Sequence, residues 1–347
     1  MAASRVIVIG ASSGGIEALT QVAAGLPADL PAAVFVVQHV APDSKNYLAK
    51  ALSAHSAIAA KTAEHGDRVE DGQLMVAHSD RHLLLDTDRV TLSRGPRENR
   101  SRPAIDPLFR SAALAFGPRT IGVVLSGSLD DGTAGLQAIK QCGGIAVAQD
   151  PDDAITPDMP QSAIDNVDVD HIAPATEIAA LLVRLIHEAE PEEPEEALAP
   201  EIRRGLEREV AILRNESGDI ETAVQLGDLA SFSCPDCGGP LWEMRDEKMR
   251  FRCHTGHAFT AKYLANGMKQ AEERSLWVAL RVMEERVRML RRLAKDDDKR
   301  GGESAARRIF ADRALEAEEH VKSLRNLLSA SAARTDLSAA LELDTAP

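Results

Sequence analysis

The amino-acid sequence predicts an α/β fold, in which a doubly wound, mostly parallel sheet of the Rossmann-like three-layer kind precedes a small zinc-binding module and a helical hairpin. Three observations support this prediction. Residues 4–188 alternate short apolar runs with helical patterns, which is typical of a parallel sheet covered by helices on both faces. Three of the four cysteines fall between residues 234 and 253. Apolar residues recur at steps of three and four in residues 276–290, which predicts a helix with one buried stripe.

The first domain is predicted over residues 1–188, and its elements follow the apolar runs. Val6–Gly10 predicts a buried strand, and a glycine-rich turn then leads into a helix. Residues 61–93 contain short alternating runs and turn signals such as Asp71-Gly72, which predict hairpins. The other predicted elements are strands over 33–40, 120–126 and 145–149 and helices over 15–25, 133–142 and 175–188.

The second half of the chain begins with an acidic, proline-rich linker, predicted over residues 189–200. Glutamate and proline alternate there, and such a composition cannot bury a core. A helix and a cysteine-rich, zinc-ribbon-like module are predicted over 201–260, a helical hairpin over 261–330 and a flexible tail over 331–347. We expect the linker to act as a tether, so that the C-terminal part recruits a partner helix and leaves the chemical step to the first domain.

Composition excludes several classes of protein. The formal net charge is −14, which argues against nucleic acid as the main partner because phosphate contacts need clustered lysine and arginine. No apolar run approaches the roughly 18 residues that span a bilayer, and the chain runs directly into its first strand without a secretory signal. The clustered cysteines suit a metal site in a reducing compartment. We therefore expect a cytoplasmic protein that neither binds nucleic acid nor inserts into membranes.

Polar residues follow three of the predicted strands and suggest a hydrolytic site. Ser12 lies in a Gly-Ala-Ser-Ser-Gly-Gly turn that opens a helix, whose free N–H groups suit a developing anion. A serine nucleophile needs a base, and His39 ends the next strand. Asp131 follows a third strand and supplies a carboxylate to orient the histidine. Because parallel strand ends share one edge, the residues predict a Ser-His-Asp hydrolase site.

The same turn has other interpretations. It also resembles the dinucleotide-binding loop of short-chain dehydrogenases, which would make the chain an oxidoreductase. Its glycine spacing differs from that loop, and the second strand ends in Gln38-His39 rather than in an acid for the ribose. Tyr47 and Lys50 are one residue too close for the catalytic pair of those enzymes. Taken singly, His39 as a structural histidine and Asp131 as a helix cap remain alternatives, so the hydrolase prediction depends on their joint placement.

Five stretches together resemble the catalytic domain of the protein-glutamate methylesterase (CheB-type) family of bacterial chemotaxis. They are Ile9–Leu19, Val37–Val40, Arg102–Phe109, Leu125–Gly135 and Met159–Ile164. The resemblance implies that Ser12 is the nucleophile, His39 the base and Asp131 the orienting acid. It also implies hydrolysis of glutamyl methyl esters on a chemoreceptor or another methylated signalling protein, and in some members deamidation of glutamine. Backbone N–H groups at Ser13 and Ser128 are the candidate oxyanion donors.

Two features depart from the usual family pattern. The family usually has Met-Gly-Asn-Asp-Gly where this chain has Ser128-Leu-Asp-Asp-Gly132, so Leu129 replaces a glycine and Asp130 adds a carboxylate beside Asp131. This difference supports an alternative function, a regulatory or binding module of a chemosensory pathway with weakened catalysis. The usual family member also begins with a phosphorylatable receiver domain, whereas this sequence starts at the catalytic strand, so we expect a receiver-less form under a different control.

The cysteine-rich segment has the spacing of a metal site. Cys234 and Cys237 form one pair on a glycine-rich turn, and Cys253 follows 16 residues later with His257 beyond it. Three thiolates and one imidazole can complete a tetrahedral zinc site, and four protein ligands make the metal structural. His254 is the alternative fourth ligand, and reduced structural cysteines are the alternative to a metal. Receiver-less relatives of the family look similar here. No cofactor is expected for catalysis itself.

Overall fold

The computed structural model describes residues 3–187, 198–214, 220–245, 249–298 and 305–344, with the side chains of all of these outside 297–298 and 330–344. Most of the predicted linker, residues 189–197, lies outside the described residues. The chain divides into two compact units, Met1–Ala265 and Asn266–Pro347. None of the described helices has an apolar stretch long enough to cross a lipid bilayer.

The first 187 residues form an alternating series of strands and helices. The strands are β1 (Val6–Ala11), β2 (Ala33–Gln38), β3 (Ala60–Thr62), β4 (Gln73–Val76), β5 (His82–Leu85), β6 (Val90–Ser93), β7 (Thr120–Val124), β8 (Ile145–Gln149) and β9 (His171–Ala173). The helices are α1 (Gly15–Gly25), α2 (Leu48–Ser53), α3 (Ile105–Phe116), α4 (Thr133–Gln141), α5 (Asp158–Asn166) and α6 (Ala175–His187).

Seven of these strands form one sheet in the order β3-β4-β2-β1-β7-β8-β9, and every neighbouring pair is parallel. All residues of β1, β2 and β7 are buried, which explains why they read as continuous apolar runs. Helices α1, α2 and α6 contribute to the apolar core on one face, and α3, α4 and α5 contribute to the core on the other. The doubly wound, three-layer prediction is confirmed.

The predicted hairpins over residues 61–93 are only partly correct. Strands β5 and β6 do pair antiparallel, but β3 and β4 join the large sheet parallel to β2. Alternation along a short strand indicates which face is buried but carries no information on pairing direction. Residues 63–72 separate β3 from β4, and this connection lets the chain return to the same end of the sheet before β4 begins.

Residues 198–265 belong to the same compact unit as the large sheet. They contain α7 (Pro200–Leu213), α8 (Ile220–Leu226) and the strands β10 (Gly227–Ser233), β11 (Pro240–Met244), β12 (Arg250–Cys253) and β13 (Ala258–Thr260). These strands form an antiparallel sheet in chain order, hereafter the ribbon. The cysteine-rich module predicted from the sequence is therefore a small β-sheet that follows two helices.

A buried network of charges joins α7 and the ribbon to α3 and the segment before it. Glu209 on α7 pairs with Arg250 at 3.0 Å and with Arg252 at 2.8 Å. Glu98 pairs with Arg252 at 2.7 Å and also with Arg110 on α3. The acidic linker was expected to act as a tether that lets the ribbon move relative to the first domain. The structure differs, because these ion pairs join the ribbon and α7 to that domain. Charged residues look solvated in a sequence, yet these neutralise one another inside the protein.

The second unit contains most of α9 (Ala261–Asp298) and all of α10 (Ala305–Asp344). Ion pairs Arg325–Glu284 at 2.6 Å and Arg291–Glu318 at 2.7 Å join the two helices, as expected for the predicted hairpin. Helix α10 continues past residue 330 into the segment predicted as a flexible tail. Alanine and leucine are frequent between 329 and 341, and both favour helix.

Candidate active site

Three predicted site residues meet at one edge of the large sheet. Ser12 follows β1, His39 follows β2, and Asp131 lies in the loop after β7. His39 Nδ1 lies 3.2 Å from Ser12 Oγ, and its Nε2 lies 2.7 Å from Asp131 Oδ2. The backbone N–H groups of Ser12 and His39 bond to Ser126 and Ala11 and so continue the parallel ladders beyond the strands. The joint placement predicted from the strand ends is what the structure contains.

The hydrogen bonds of His39 assign its two ring nitrogens. Asp131 is buried and carries a carboxylate that can only accept, so Nε2 holds the proton of this bond. Nδ1 is then left with its lone pair directed at the Ser12 hydroxyl. A base of this tautomer can accept the serine proton without any rotation of the ring.

Hydrogen bonds surround the carboxylate of Asp131. Its Oδ2 also accepts the Ile105 N–H at 2.8 Å, and its Oδ1 accepts from Gly132 N at 3.0 Å and Asn99 Nδ2 at 2.9 Å. Burial alone would raise the pKa of Asp131, but the bonds from His39, the Ile105 N–H and Asn99 outweigh burial and hold this pKa well below its usual range. Asp131 therefore stays ionised and can stabilise a positive charge on His39.

Asp106 is a second buried carboxyl at the site, and the sequence assigned it no role. Its Oδ1 accepts the N–H groups of Gly132 at 3.0 Å and Gly135 at 2.7 Å, at the beginning of α4. Burial and, next, the negative charge of Asp131 raise the pKa of Asp106 well above its usual value. The sequence does contain one signal for Asp106, because this acid interrupts the apolar stretch Ala104–Leu108. An acid buried among apolar residues needs hydrogen-bonding or charged partners.

The two candidate oxyanion donors lie on the same rim. Ser128 Oγ is 3.5 Å from Ser13 Oγ, which places the two turns side by side. Within the described part of the chain, the backbone N–H groups of Ser13 and Ser128 have no hydrogen-bond acceptor. Free N–H groups next to a serine hydroxyl suit an oxygen that becomes negative during the reaction.

The unusual loop after β7 has a structural explanation. Leu129 has a φ of 67°, in the left-handed region that glycine adopts without strain. Its side chain packs against an apolar cluster formed by the ribbon and the start of α9, which includes Phe251, Phe259 and Tyr263. Asp130 is buried, and its Oδ1 accepts the Thr260 hydroxyl at 2.7 Å. Both departures from the family pattern thus face the ribbon.

Close packing also restricts the surroundings of Ser12. A Cβ on Gly127 would lie 2.8 Å from Ser12 Cβ and 2.1 Å from Met159 Sδ, so only glycine fits there. The Gln38 side chain donates from Nε2 to the Ser12 carbonyl at 2.8 Å. These contacts hold the serine backbone from two sides. The arrangement as a whole has a nucleophile, a base, an orienting acid and two free donors, which together suit acyl transfer.

The predicted metal ligands also come together. The ligand atoms of Cys234, Cys237, Cys253 and His257 all lie within 4.8 Å of one another. Cys237 and Cys253 sulfurs are 3.7 Å apart, and His257 Nδ1 is 3.5 Å from Cys253 Sγ and 3.8 Å from Cys234 Sγ. A tetrahedral zinc with Zn–S bonds of about 2.3 Å separates its ligand atoms by about 3.5 to 3.8 Å. The three measured separations fall in this range, and all four ligand atoms lie close enough together to hold one metal ion.

His254, the alternative ligand, is outside this cluster. Its ring lies over Gly239, where an added Cβ would approach the ring to 2.4 Å. The sequence left two histidines as candidates for the fourth ligand. The structure places His257, and not His254, beside the three sulfurs.

Comparisons with known proteins agree with this geometry. A sequence model of the family described as CheB methylesterase matches residues 7–182. The relative named protein-glutamate methylesterase/protein-glutamine glutaminase 2 in Methanosarcina acetivorans is 38% identical over 190 residues, which are 52% of this chain and 53% of the relative. Its namesake in Anaeromyxobacter dehalogenans is 41% identical over 181 residues, with 52% and 53% covered. The chain thus spans about half the length of these relatives.

Two further matches cover nearly the whole of the other protein. A putative protein-glutamate methylesterase/protein-glutamine glutaminase of Leptospira interrogans is 39% identical over 180 residues, which are 52% of this chain and 93% of that protein. The crystal structure of the Thermotoga maritima CheB methylesterase catalytic domain matches with a TM-score of 0.51 and 34% identity, over 52% of this chain and 98% of that one. The family match over half the chain, together with the fold and the site at its sheet edge, shows that this chain belongs to the CheB methylesterase family.

Proposed function

We propose that this protein is a protein-glutamate methylesterase, a serine carboxylic ester hydrolase that removes methyl esters from glutamates of a chemoreceptor or another methylated signalling protein. Deamidation of glutamine at the same site is part of the proposal, since an amide presents the same carbonyl to the nucleophile. The observation that carries it is the hydrogen-bonded series Ser12 Oγ, His39 and Asp131, with 3.2 Å and 2.7 Å between successive groups.

The proposed reaction follows from the assignment of the His39 nitrogens. Ser12 Oγ attacks the ester carbonyl while Nδ1 of His39 takes the hydroxyl proton, and Asp131 stabilises the imidazolium. The carbonyl oxygen becomes negative and accepts bonds from the N–H groups of Ser13 and Ser128. Methanol leaves with the proton from Nδ1. A water molecule then gives a proton to Nδ1 of His39 and attacks the acyl-enzyme. As the ester bond to Ser12 breaks, the serine oxygen takes this proton from His39, and the glutamyl side chain is released as a carboxylic acid that ionises in water.

The alternative, a binding module with weakened catalysis, has less support. Its argument was the altered loop, in which Leu129 replaces a glycine and Asp130 adds a charge. Leu129 packs on the ribbon and Asp130 bonds to Thr260, so both substitutions have partners away from His39. The bonds that orient Asp131 toward His39 are all present with this loop. The geometry therefore favours an active enzyme.

We also propose that the ribbon holds one structural zinc through Cys234, Cys237, Cys253 and His257, with no cofactor used in catalysis. The spacing of these ligand atoms supports the metal and its tetrahedral geometry. A cytoplasmic location agrees with reduced thiolate ligands. The net charge of −14 favours a protein rather than a nucleic acid as the substrate.

A fluorophosphonate probe and a methylated receptor fragment test the proposed activity. The full chain should react with the probe at Ser12 and release methanol from the fragment. Ser12→Ala should abolish both while Ser13→Ala, which keeps the backbone N–H, should retain the probe reaction. If the chain binds the methylated fragment but releases no methanol and takes up no probe, the binding module is the correct function. If Ser13→Ala alone abolishes the reaction, the nucleophile is misassigned.

A further inference from the structure

Asn99 lies between the active site and the ribbon. It is buried, with 3% of its surface exposed, in the segment that joins β6 to α3. Its side-chain Nδ2 donates to Asp131 Oδ1 at 2.9 Å and to Asp106 Oδ2 at 3.1 Å. Its Oδ1 accepts the backbone N–H of Thr260 at 3.1 Å. One carboxamide thus bonds both buried carboxyls of the site and the end of strand β13.

The ribbon contacts the backbone of this segment as well. Asn99 N donates to Ala258 O at 2.8 Å, and Ala258 N donates to Arg97 O at 3.2 Å. Strand β13 therefore pairs along residues 97–99 as an added strand. The same strand carries Thr260, whose hydroxyl donates to Asp130 Oδ1 at 2.7 Å, next to Asp131 in the chain. Two residues of the ribbon, Ala258 and Thr260, therefore hold both Asn99 and the turn that carries the proposed acid.

These bonds determine which end of the Asn99 carboxamide faces Asp131. If the amide were turned by 180°, its NH₂ would face the Thr260 N–H, donor to donor, and its oxygen would face two buried carboxyls. Without the Thr260 N–H, nothing on the ribbon side would favour one orientation. A buried charge that loses a hydrogen-bond donor is destabilised, and its geometry is then free to relax.

We propose that the ribbon is an integral part of the active site and that Asn99 is a positioning residue. Strand β13 holds the Asn99 carboxamide so that its Nδ2 orients the Asp131 carboxylate and stabilises its negative charge. The inference rests on the proposed esterase function, because it concerns how that site is assembled. The proposal gives the ribbon a role in the chemical step, although the ribbon lies outside residues 7–182, which the family sequence model matches. Leu129, packed on the ribbon's apolar cluster, is the third contact that joins the two.

Substitutions in the full chain test this role with p-nitrophenyl acetate as a small ester. Such a substrate needs no protein docking surface, so effects on its turnover report on the catalytic groups. Asn99→Ala should lower kcat roughly tenfold or more and leave KM within about twofold, because Asp131 loses a donor but the substrate loses no contact. Asn99→Asp should lower kcat further, because it adds a third carboxyl beside Asp131 and Asp106.

The ribbon side is tested at Thr260, where the backbone N–H survives any substitution. Thr260→Val removes the hydroxyl bond to Asp130 and should lower kcat, whereas Thr260→Ser keeps the hydroxyl and should restore it. Thr62→Val, on the edge strand β3, is the matched control and should have no effect. Zinc content and thermal unfolding of each variant show that it is folded, and the Thr260 pair decides the question if Asn99→Ala does not fold.

The outcomes separate this inference from the proposed function. A wild-type chain that neither hydrolyses the ester nor reacts with a fluorophosphonate probe would overturn the proposed function and the inference with it. An active wild type, with folded Asn99→Ala and Thr260→Val variants that keep kcat within twofold, would overturn the inference alone. Loss of kcat in Thr260→Ser equal to that in Thr260→Val would also contradict it, since the hydroxyl would then be irrelevant.

Discussion

Asp131 carries its charge in the protein interior because His39, Asn99 and the N–H groups of Ile105 and Gly132 all donate to it. These bonds, rather than exposure to water, stabilise the carboxylate, since the side chain is fully buried. A carboxylate in this position also selects the His39 tautomer in which Nδ1 is the base. The proposed catalysis therefore depends on the hydrogen bonds of the acid as much as on the serine.

Asp131→Asn is expected to lower kcat for a small ester by roughly a thousandfold or more, with the fold intact. An amide can present its NH₂ to Nε2, which then becomes the acceptor and leaves the proton on Nδ1, so that the base is lost. Steady-state kinetics with p-nitrophenyl acetate measures this loss. Asp168→Asn, at an exposed position after α5, is the matched control. A kcat within tenfold of the wild type would remove Asp131 from the site.

We expect His82 to make the stability of the folded protein depend on pH. It is fully buried at the start of β5, and its Nε2 bonds to the Pro96 carbonyl at 2.9 Å. Burial lowers the pKa of His82 to about 4 from an ordinary value of 6.5, although the charge of Glu98 opposes the shift. The folded state therefore binds this proton less readily than the unfolded state. Stability from this group is complete above pH 6.5 and is lost as the pH falls from 6.5 to about 4.

The expected loss is about 3 kcal/mol in the free energy of unfolding over that range, at roughly 1.4 kcal/mol per pKa unit. Urea unfolding at pH 7 and at pH 4.5 measures most of it. His82→Gln should show a smaller difference between the two pH values, because it has no group that titrates there. His55→Gln, at an exposed position, should retain the wild-type difference. Equal pH dependence in both variants would contradict the assignment to His82.

The ribbon combines a cluster of three cysteines and one histidine with a strand that contacts the active site. His257 immediately precedes β13, and Cys253 ends β12, so two proposed ligands flank the turn between the strands. A zinc ion bound there would fix the strand that carries Ala258 and Thr260. Metal binding and the position of Asn99 are therefore linked through one short strand.

Cys237→Ser is expected to reduce zinc content from about one ion per chain and, with it, kcat for a small ester. The reason is that a loosened β13 no longer holds Asn99 and Asp130. Elemental analysis and ester kinetics on the same sample measure the two effects. Cys142→Ser is the control, because that cysteine is not among the clustered ligands and burial raises the pKa of its thiol to about 11. Protein made with zinc present that contains no metal would end the zinc proposal.

Across the first compact unit, the buried charge network joins residues 198–265 to the domain of the large sheet. Glu209 on α7 faces Arg110, Arg250 and Arg252, and these cations hold the pKa of Glu209 well below its usual range against the opposing effect of burial. Removal of one member of a buried network leaves unpaired charge behind. A chain truncated after α6 would keep the Arg110–Glu98 pair but lose Glu209 and Arg252, so we expect α7 and the ribbon to stabilise the first domain.

Glu209→Gln is expected to destabilise the protein by about 3 kcal/mol, since the buried Arg110 and Arg252 and the partly buried Arg250 lose a carboxylate partner. The free energy of unfolding at neutral pH, from urea titration, measures this change. Glu207→Gln, exposed on the same helix, is the matched control and should change stability by less than about 0.5 kcal/mol. A destabilisation as small as that of the control would mean that the network contributes little to holding α7 on α3.

The large parallel sheet, the cluster of polar residues at its edge and the grouping of three cysteines could all be predicted from the sequence. Each depends on local order along the chain. Buried parallel strands are continuous apolar runs, and residues that follow such strands reach a common edge, which places Ser12, His39 and Asp131 together. The cysteine spacing likewise indicates a metal site, although only the structure separates His257 from His254.

The contacts between the large sheet and residues 198–265 could not be predicted from the sequence. Asn99 and Thr260 are 161 positions apart, and Glu98 and Arg252 are 154 apart, so no periodic pattern connects them. Taken alone, Glu98, Glu209 and Arg252 read as solvated charges, and an acidic linker suggested independent movement. Buried charges are stable only with their partners, and such partners come together only in the folded chain. The role of Asn99 could not be predicted for the same reason. It depends on Thr260 of strand β13, which lies 161 residues further along the chain.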